Sequence, residues 1–127
     1  MTTIHERIFE KLERLMGDLR EIPESKKSRV PGFMDLNLDR LSPNGSSTLI
    51  ALSHYYEHPS GDLIADPDME ICIRPTERMA EARSYQDAYR YRRVGEEGTA
   101  PVAVRRELNE FLEQWLSNCL AQGHRLT

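Results

Sequence analysis

His54–Glu70, HYYEHPSGDLIADPDME, joins two expected strands through the turn residues Pro59, Ser60 and Gly61. It gathers Glu57, Asp62, Asp66, Asp68 and Glu70 onto one hairpin. Upstream, Thr48–Glu57 is apolar at first and aromatic at its end, as befits a strand. Downstream, Met69, Ile71 and Ile73 alternate with Asp68, Glu70 and Cys72, the period of a strand with one wet face. Asp66-Pro67 reads as a bend or edge entry just before that strand, because proline has no N–H to give a ladder.

Working outward, Met34, Leu36 and Leu38 share one face and Asp35, Asn37 and Asp39 the other, so a further strand is expected from Phe33. Ser42-Pro43-Asn44-Gly45 is turn chemistry that folds it back on Thr48–Glu57. After Pro75, residues 79–94 read as a fourth and fifth strand turning near Gln86-Asp87-Ala88. Helix over Thr76–Tyr91 is the competing reading, since Glu77, Met79, Ala80, Glu81 and Ala82 favour it. The alternation of Tyr89, Tyr91 and Val94 with Arg90 and Arg92 favours strand.

The two flanks are helical. Ile4, Ile8, Leu12, Leu15 and Leu19 recur at helical spacing over residues 3–20, and Thr3 with Glu6 forms a capping-box pattern. Residues 21–32 read as a polar loop whose Lys26, Lys27 and Arg29 are solvated charge. Gly95–Gly98 reads as a loop, Thr99 as a cap and Pro101 as a first-turn proline. Val104, Leu108, Phe111, Leu112, Trp115, Leu116 and Cys119 then form an apolar stripe that Gly123 stops. The expectation is one α+β domain over residues 1–127, with an antiparallel sheet of four or five strands. The N-terminal and C-terminal helices pack on one face of that sheet.

Bulk properties exclude several classes. The balance of 17 basic and 21 acidic residues, net charge -4, is no nucleic-acid footprint at the level of the whole chain. Cys72 and Cys119 make no disulfide framework, which fits a reducing compartment. The opening residues MTTIHERIFEKLERL contain no long apolar run and read as neither signal peptide nor membrane span. A cytoplasmic location with no membrane contact is the expectation, and no cofactor signature is present.

Three constellations carry chemistry. His54-Tyr55-Tyr56-Glu57-His58 matches the H-x-x-E-H spacing of some zinc proteases, but that motif needs a helix and this stretch reads as strand. His54, Asp62, Asp66 and Glu70 are candidate metal ligands if their oxygens and imidazole converge. The plainer account makes Asp62 and Asp66 turn residues and Asp68 and Glu70 surface charge. Arg83, Tyr85, Tyr89, Arg90 and Arg92 combine basic and stacking groups as single-strand-binding sheets do. Pairing with the acids of the neighbouring strand is the plainer account there. Cys72 and Cys119 read as buried small residues and Trp115 as a core anchor, while His5 and His124 carry no signal.

Asn109–Gly123, NEFLEQWLSNCLAQG, resembles the closing helix of the YqiB-like family of uncharacterised small bacterial proteins. The central His54-Tyr55-Tyr56-Glu57, Gly61-Asp62 and Asp66-Pro67-Asp68-Met69-Glu70, followed by Tyr85 and Gln86, is similar to uncharacterised proteins often encoded on plasmids and integrative elements. Here the turn from Glu57 to Gly61 departs from the usual pattern: it is one residue longer and carries Pro59. The resemblance spans roughly residues 30–123 and implies the layout above and a bacterial origin, with no activity attached. The leading expectation is a non-enzymatic accessory or protein-interaction domain using His54, Tyr56, Glu57, Asp62, Asp66 and Glu70, its partner another protein. Nucleic-acid association through the Arg/Tyr set is the alternative, and a metal-dependent enzyme at the hairpin is third. The oligomeric state is open.

Overall fold

Thr3 starts the first helix as its spacing to Glu6 requires: Glu6 N–H donates to Thr3 Oγ1 at 3.2 Å and Thr3 N–H to Glu6 Oε1 at 3.4 Å. The computed structural model describes residues 2–94 and 100–127, so Gly95–Gly98 and the expected cap Thr99 lie outside the described residues. Helix α1, Ile4–Met16, buries Ile8, Phe9, Leu12, Leu15 and Met16. It stops earlier than residue 20 because Gly17 adopts φ 84°, a left-handed value that ends the helix, and a Cβ there would sit 3.2 Å from Thr127 Cγ2. Leu19 and Ile22 still reach the core from the segment after the helix.

Among the described residues the chain then forms six strands: β1 Ser25–Ser28, β2 Leu36–Arg40, β3 Thr48–Glu57, β4 Leu63–Arg74, β5 Met79–Gln86 and β6 Tyr91–Arg93. They pair in chain order, each antiparallel to the next. The expectation of four or five strands is corrected to six. The additional strand is β1, in the stretch expected to be a loop. It is an edge strand in which Ser28 alone is buried, so it has no apolar alternation to betray it, and its lysines suit an exposed edge.

One face of the sheet is apolar. Leu36, Leu38, Ile50, Leu52, Met69, Ile71, Ile73, Ala80 and Ala82 join α1 and helix α2, Val102–Gln122, in a shared core. Leu36, Leu52 and Ile71 are fully buried, and each such side chain stabilises the fold by about 1.5–3 kcal/mol. Ala80 and Ala82 leave room over β5, the strand on which both helices rest. Helix formers at Met79–Ala82 are therefore held as strand, because pairing with β4 outweighs a propensity of a few tenths of a kcal/mol per residue.

Two irregularities shape the ends of these elements. Between the pairs Ser53↔Asp68 and Tyr55↔Ala65, β4 carries one more residue than β3, a bulge at Asp66-Pro67, whose peptide bond is cis. Asp66-Pro67 thus lies inside β4 rather than before it. A bulge is where a residue without N–H costs the ladder nothing. Beyond that point β3 and β4 run on without neighbours: the last pair with β2 is Asn37↔Ser53 and with β5 is Asp68↔Gln86, yet β3 and β4 pair as far as Glu57↔Leu63. Residues 55–65 are a two-stranded arm. At the other end of the chain, Pro101 is the N-cap of α2 rather than its first residue, and Gly123 at φ 94° closes the helix, donating to the carbonyls of Cys119 and Leu120. Residues 124–127 then turn inward, and His124 and Leu126 are buried.

Candidate functional site

The arm is built by alternation. Tyr56 pairs with Ile64 on the side that faces the helices lower down, and Glu57 pairs with Leu63 on the open side. Tyr55, Tyr56 and Leu63 are 37%, 38% and 70% exposed. The tip is tied by its own residues: His58 N–H donates to the Asp62 carbonyl at 2.8 Å, and Ser60 Oγ donates to Asp62 Oδ2 at 3.3 Å. Asp62 therefore does the turn work its position after Gly61 suggested. At the base, the Tyr55 hydroxyl donates to Asp68 Oδ2 at 2.6 Å. Partial burial first, and then this carboxylate, push the phenol up to about 12.

The candidate metal ligands do not converge. His54 is buried beneath α2, Asp62 is at the arm tip, Asp66 is exposed at the bulge, and Glu70 stands on the open face of the sheet. The strand pleat sends His54 and Glu70 to opposite faces, and Asp62 lies about 13 Å along β4 from Asp66 at ~3.3 Å per residue. Among the described residues no group of three or more His, Cys, Asp and Glu side chains is placed to hold a metal ion. Glu70 instead accepts from Ser84 Oγ at 3.3 Å and faces Arg93 at 3.6 Å. The H-x-x-E-H spacing falls on a strand, with His54 in the core and His58 exposed at the tip.

The Arg/Tyr set is likewise divided. A bulge turns Arg83 to the open face, where it meets Glu81 at 3.2 Å. Tyr85 and Arg92 face the helix side: Tyr85 stacks edge-on against Phe111 at 5.1 Å and Arg92 pairs with Glu107 at 2.9 Å. Tyr89 and Arg90 form the β5–β6 turn, with both backbone N–H groups donating to Asp87 Oδ1 at 2.7 and 2.9 Å. Cross-strand pairing is present as well, in Arg74–Glu81 at 3.0 Å.

What the register does bring together is one end of the sheet. The arm, the β5–β6 turn after Gln86 and the segment leading into Leu36 all leave from the row Asn37–Ser53–Asp68–Gln86. Exposed Phe33 and Met34 belong to that segment, Tyr55, Tyr56 and Leu63 to the arm, and Tyr89 and Tyr91 to the turn and its strand. Leu41, also exposed, marks the opposite end, where its N–H donates to the Leu49 carbonyl. A groove of about 530 Å³ is lined by residues of α1 and α2 together with Glu81 of β5. Its central carboxylate, Glu113, already accepts from Arg7 Nε at 2.9 Å and Lys11 Nζ at 2.8 Å, which hold it below the usual carboxylate range.

A buried polar cluster sits under this end. His54 Nδ1 hydrogen-bonds the Asp35 carbonyl at 2.8 Å, its Nε2 lies 3.8 Å from Cys119 Sγ, and its ring meets Trp115 edge-on at 5.4 Å. Burial pushes the Cys119 thiol up to about 12, so it is a weak nucleophile. His124, to which the sequence assigned no role, is 0% exposed and shares a 2.8 Å hydrogen bond between its Nδ1 and Ser28 Oγ. The available signal was its place after Gly123, where a left-handed cap redirects the chain onto the core. Among the described residues, His124 Nε2 and Trp115 Nε1 are buried nitrogens without a hydrogen-bond partner.

Comparison with known proteins matches residues 7–125 to the family described as "Domain of unknown function (DUF6908)". No curated protein and no solved structure matches the chain. The matched span takes in most of α1, the six strands β1–β6, all of α2 and the buried His54–His124 cluster. The chain therefore belongs to the DUF6908 family, whose function is unknown.

Proposed function

We propose that this is a non-enzymatic accessory domain of the bacterial cytoplasm that docks a protein partner at the arm end of its sheet. The observation that carries the reading is the concentration of exposed Phe33, Tyr55, Tyr56, Leu63, Tyr89 and Tyr91 at that one end. Single exposed apolar residues need no explanation, but a set gathered on one end has the composition of an interface core, where aromatic side chains dominate. A two-stranded ribbon adds little to its own stability in water, so the arm contributes more to contact than to the fold. Glu57, Asp62 and Asp66 lie around the apolar groups. They select a partner surface with an apolar pocket rimmed by Lys or Arg. The bacterial setting rests on the resemblance of the central motif and of Asn109–Gly123 to bacterial proteins.

Site-specific photo-crosslinking in cells tests this. A crosslinker at Tyr56 is expected to give a discrete protein adduct that Leu63→Asp abolishes, while the same group at Leu41 gives none. Equal adducts from both positions, or none from Tyr56 in a folded domain, would overturn the reading. An adduct containing nucleic acid would replace the protein partner with the alternative set at Tyr89 and Arg90.

A further inference from the structure

Residues 123–127 form a strap that ties three elements. His124 N–H donates to the Cys119 carbonyl at 3.1 Å, Arg125 N–H to Ser28 Oγ at 3.0 Å and Leu126 N–H to the Leu15 carbonyl at 2.8 Å. Through these contacts the end of α2 is joined to β1 and to the end of α1, and Leu126 fills the apolar seam between them. The strap turns inward on His124, whose ring centroid is 5.8 Å from that of His54, itself buried on β3.

A proton on His124 would find little to receive it. From β3 comes His54, a second imidazole; from β1 comes the neutral Ser28 hydroxyl. The segment before β2 offers the Met34 backbone and Asp35, whose carboxylate already faces Arg29 at 3.6 Å. On α2 the nearby groups are Trp115 and the Cys119 thiol, both against His54, and within the strap the Arg125 guanidinium lies on the His124 carbonyl at 2.6 Å. A cation there is buried beside a second imidazole, and the Met34 backbone and Asp35 offset only part of that cost.

We propose that His124, packed against His54, is a proton-sensitive latch: with its ring neutral the strap is closed, and its protonation releases the strap and uncovers the seam that Leu126 fills. Burial and the His54 neighbour both hold His124 below its ordinary value of 6.5. The closed state therefore binds fewer protons than the open one. Its stability is complete above about pH 6.5 and is lost as the pH falls towards the depressed value, the open population rising by at most about tenfold per pH unit in that window.

Amide hydrogen exchange read by NMR between about pH 7 and pH 5 tests this, with rates corrected for intrinsic exchange. Protection of Arg125 and Leu126 is expected to fall below pH ~6.5, by at most about tenfold per unit, while Ile50 and Leu52 in β3 keep theirs. His124→Asn, which retains a polar group for Ser28, is expected to remove that slope. Constant strap protection, a loss shared by Ile50 and Leu52, or an unchanged slope in the variant would each overturn the latch. Should His124→Asn not fold, the wild-type ring titration decides. A His124 signal that titrates below 6.5 together with the Arg125 and Leu126 amides supports the latch. Titration without them, or at 6.5 and above, sinks it.

Discussion

Strands β3 and β4 are two proteins in one hairpin. In their lower half, Ile50, Leu52, Met69 and Ile71 sit at 0% exposure beneath two helices; in their upper half, Tyr55, Tyr56 and Leu63 stand in water. The backbone pairing is antiparallel throughout, and the bulge at Asp66-Pro67 shifts the alternation of β4 by one residue. What differs is cover. The helices cover the inward positions of the hairpin as far as His54, which meets Trp115 of α2, and beyond it Tyr55, Tyr56 and Leu63 are exposed. Similar residue types thus hold the fold together in one half and are left for contact in the other.

The largest expected effect compares a leucine from each half. Leu52→Ala removes a fully buried side chain and is expected to cost about 2–5 kcal/mol, whereas Leu63→Ala is expected to fall within about 0.5 kcal/mol of the parent. Urea denaturation of the two variants measures both, and equal losses would erase the distinction between arm and base. Next comes Asn109 of α2, buried on the covered side, whose Oδ1 accepts the Ala82 N–H at 2.8 Å. Asn109→Ala leaves that backbone donor buried and unpaired, an expected loss of about 1–3 kcal/mol in the same assay. The smallest effect lies at the junction. Tyr55→Phe removes the hydroxyl that donates to Asp68 and is expected to leave the denaturation midpoint nearly unchanged. It should, however, remove one of the two phenols that ionise near 12, those of Tyr55 and Tyr85. Because this folded-state value is raised, the hydroxyl's contribution is complete below about pH 10 and is lost as pH rises through about 12, which an ultraviolet phenolate titration follows.

How far the chain was legible depends on the element. Strand β3 was read with its observed bounds, and the turn between β5 and β6 lies where Gln86-Asp87-Ala88 placed it. Both rest on period-2 alternation interrupted by turn residues, a signal that survives folding because one sheet face is dry. Edge strand β1 was missed because its polar residues face water on nearly every side, so nothing in their order distinguishes strand from loop. Of the candidate site, Tyr56, Glu57 and Asp62 lie on the exposed arm and Asp66 is exposed at the bulge beneath it, as a polar hairpin should place them, but His54 is not exposed. It continues the inward series of Ile50 and Leu52 and is buried by α2.

The sequence by itself determined the local pieces: a capped amphipathic helix at Thr3, alternating strands with Asn-Gly and Pro-Ser-Gly turns, and a closing helix stopped at Gly123. Those are decided by periodicity, capping and allowed backbone angles, which act over a few residues. Only the tertiary structure decided that Phe33, Tyr56 and Tyr89 share one end, that His54 and Glu70 part to opposite faces, and that His124 meets Ser28 from 96 positions away. Such relations are set by strand register and by which face the helices cover, and neither is written in any short stretch of chain.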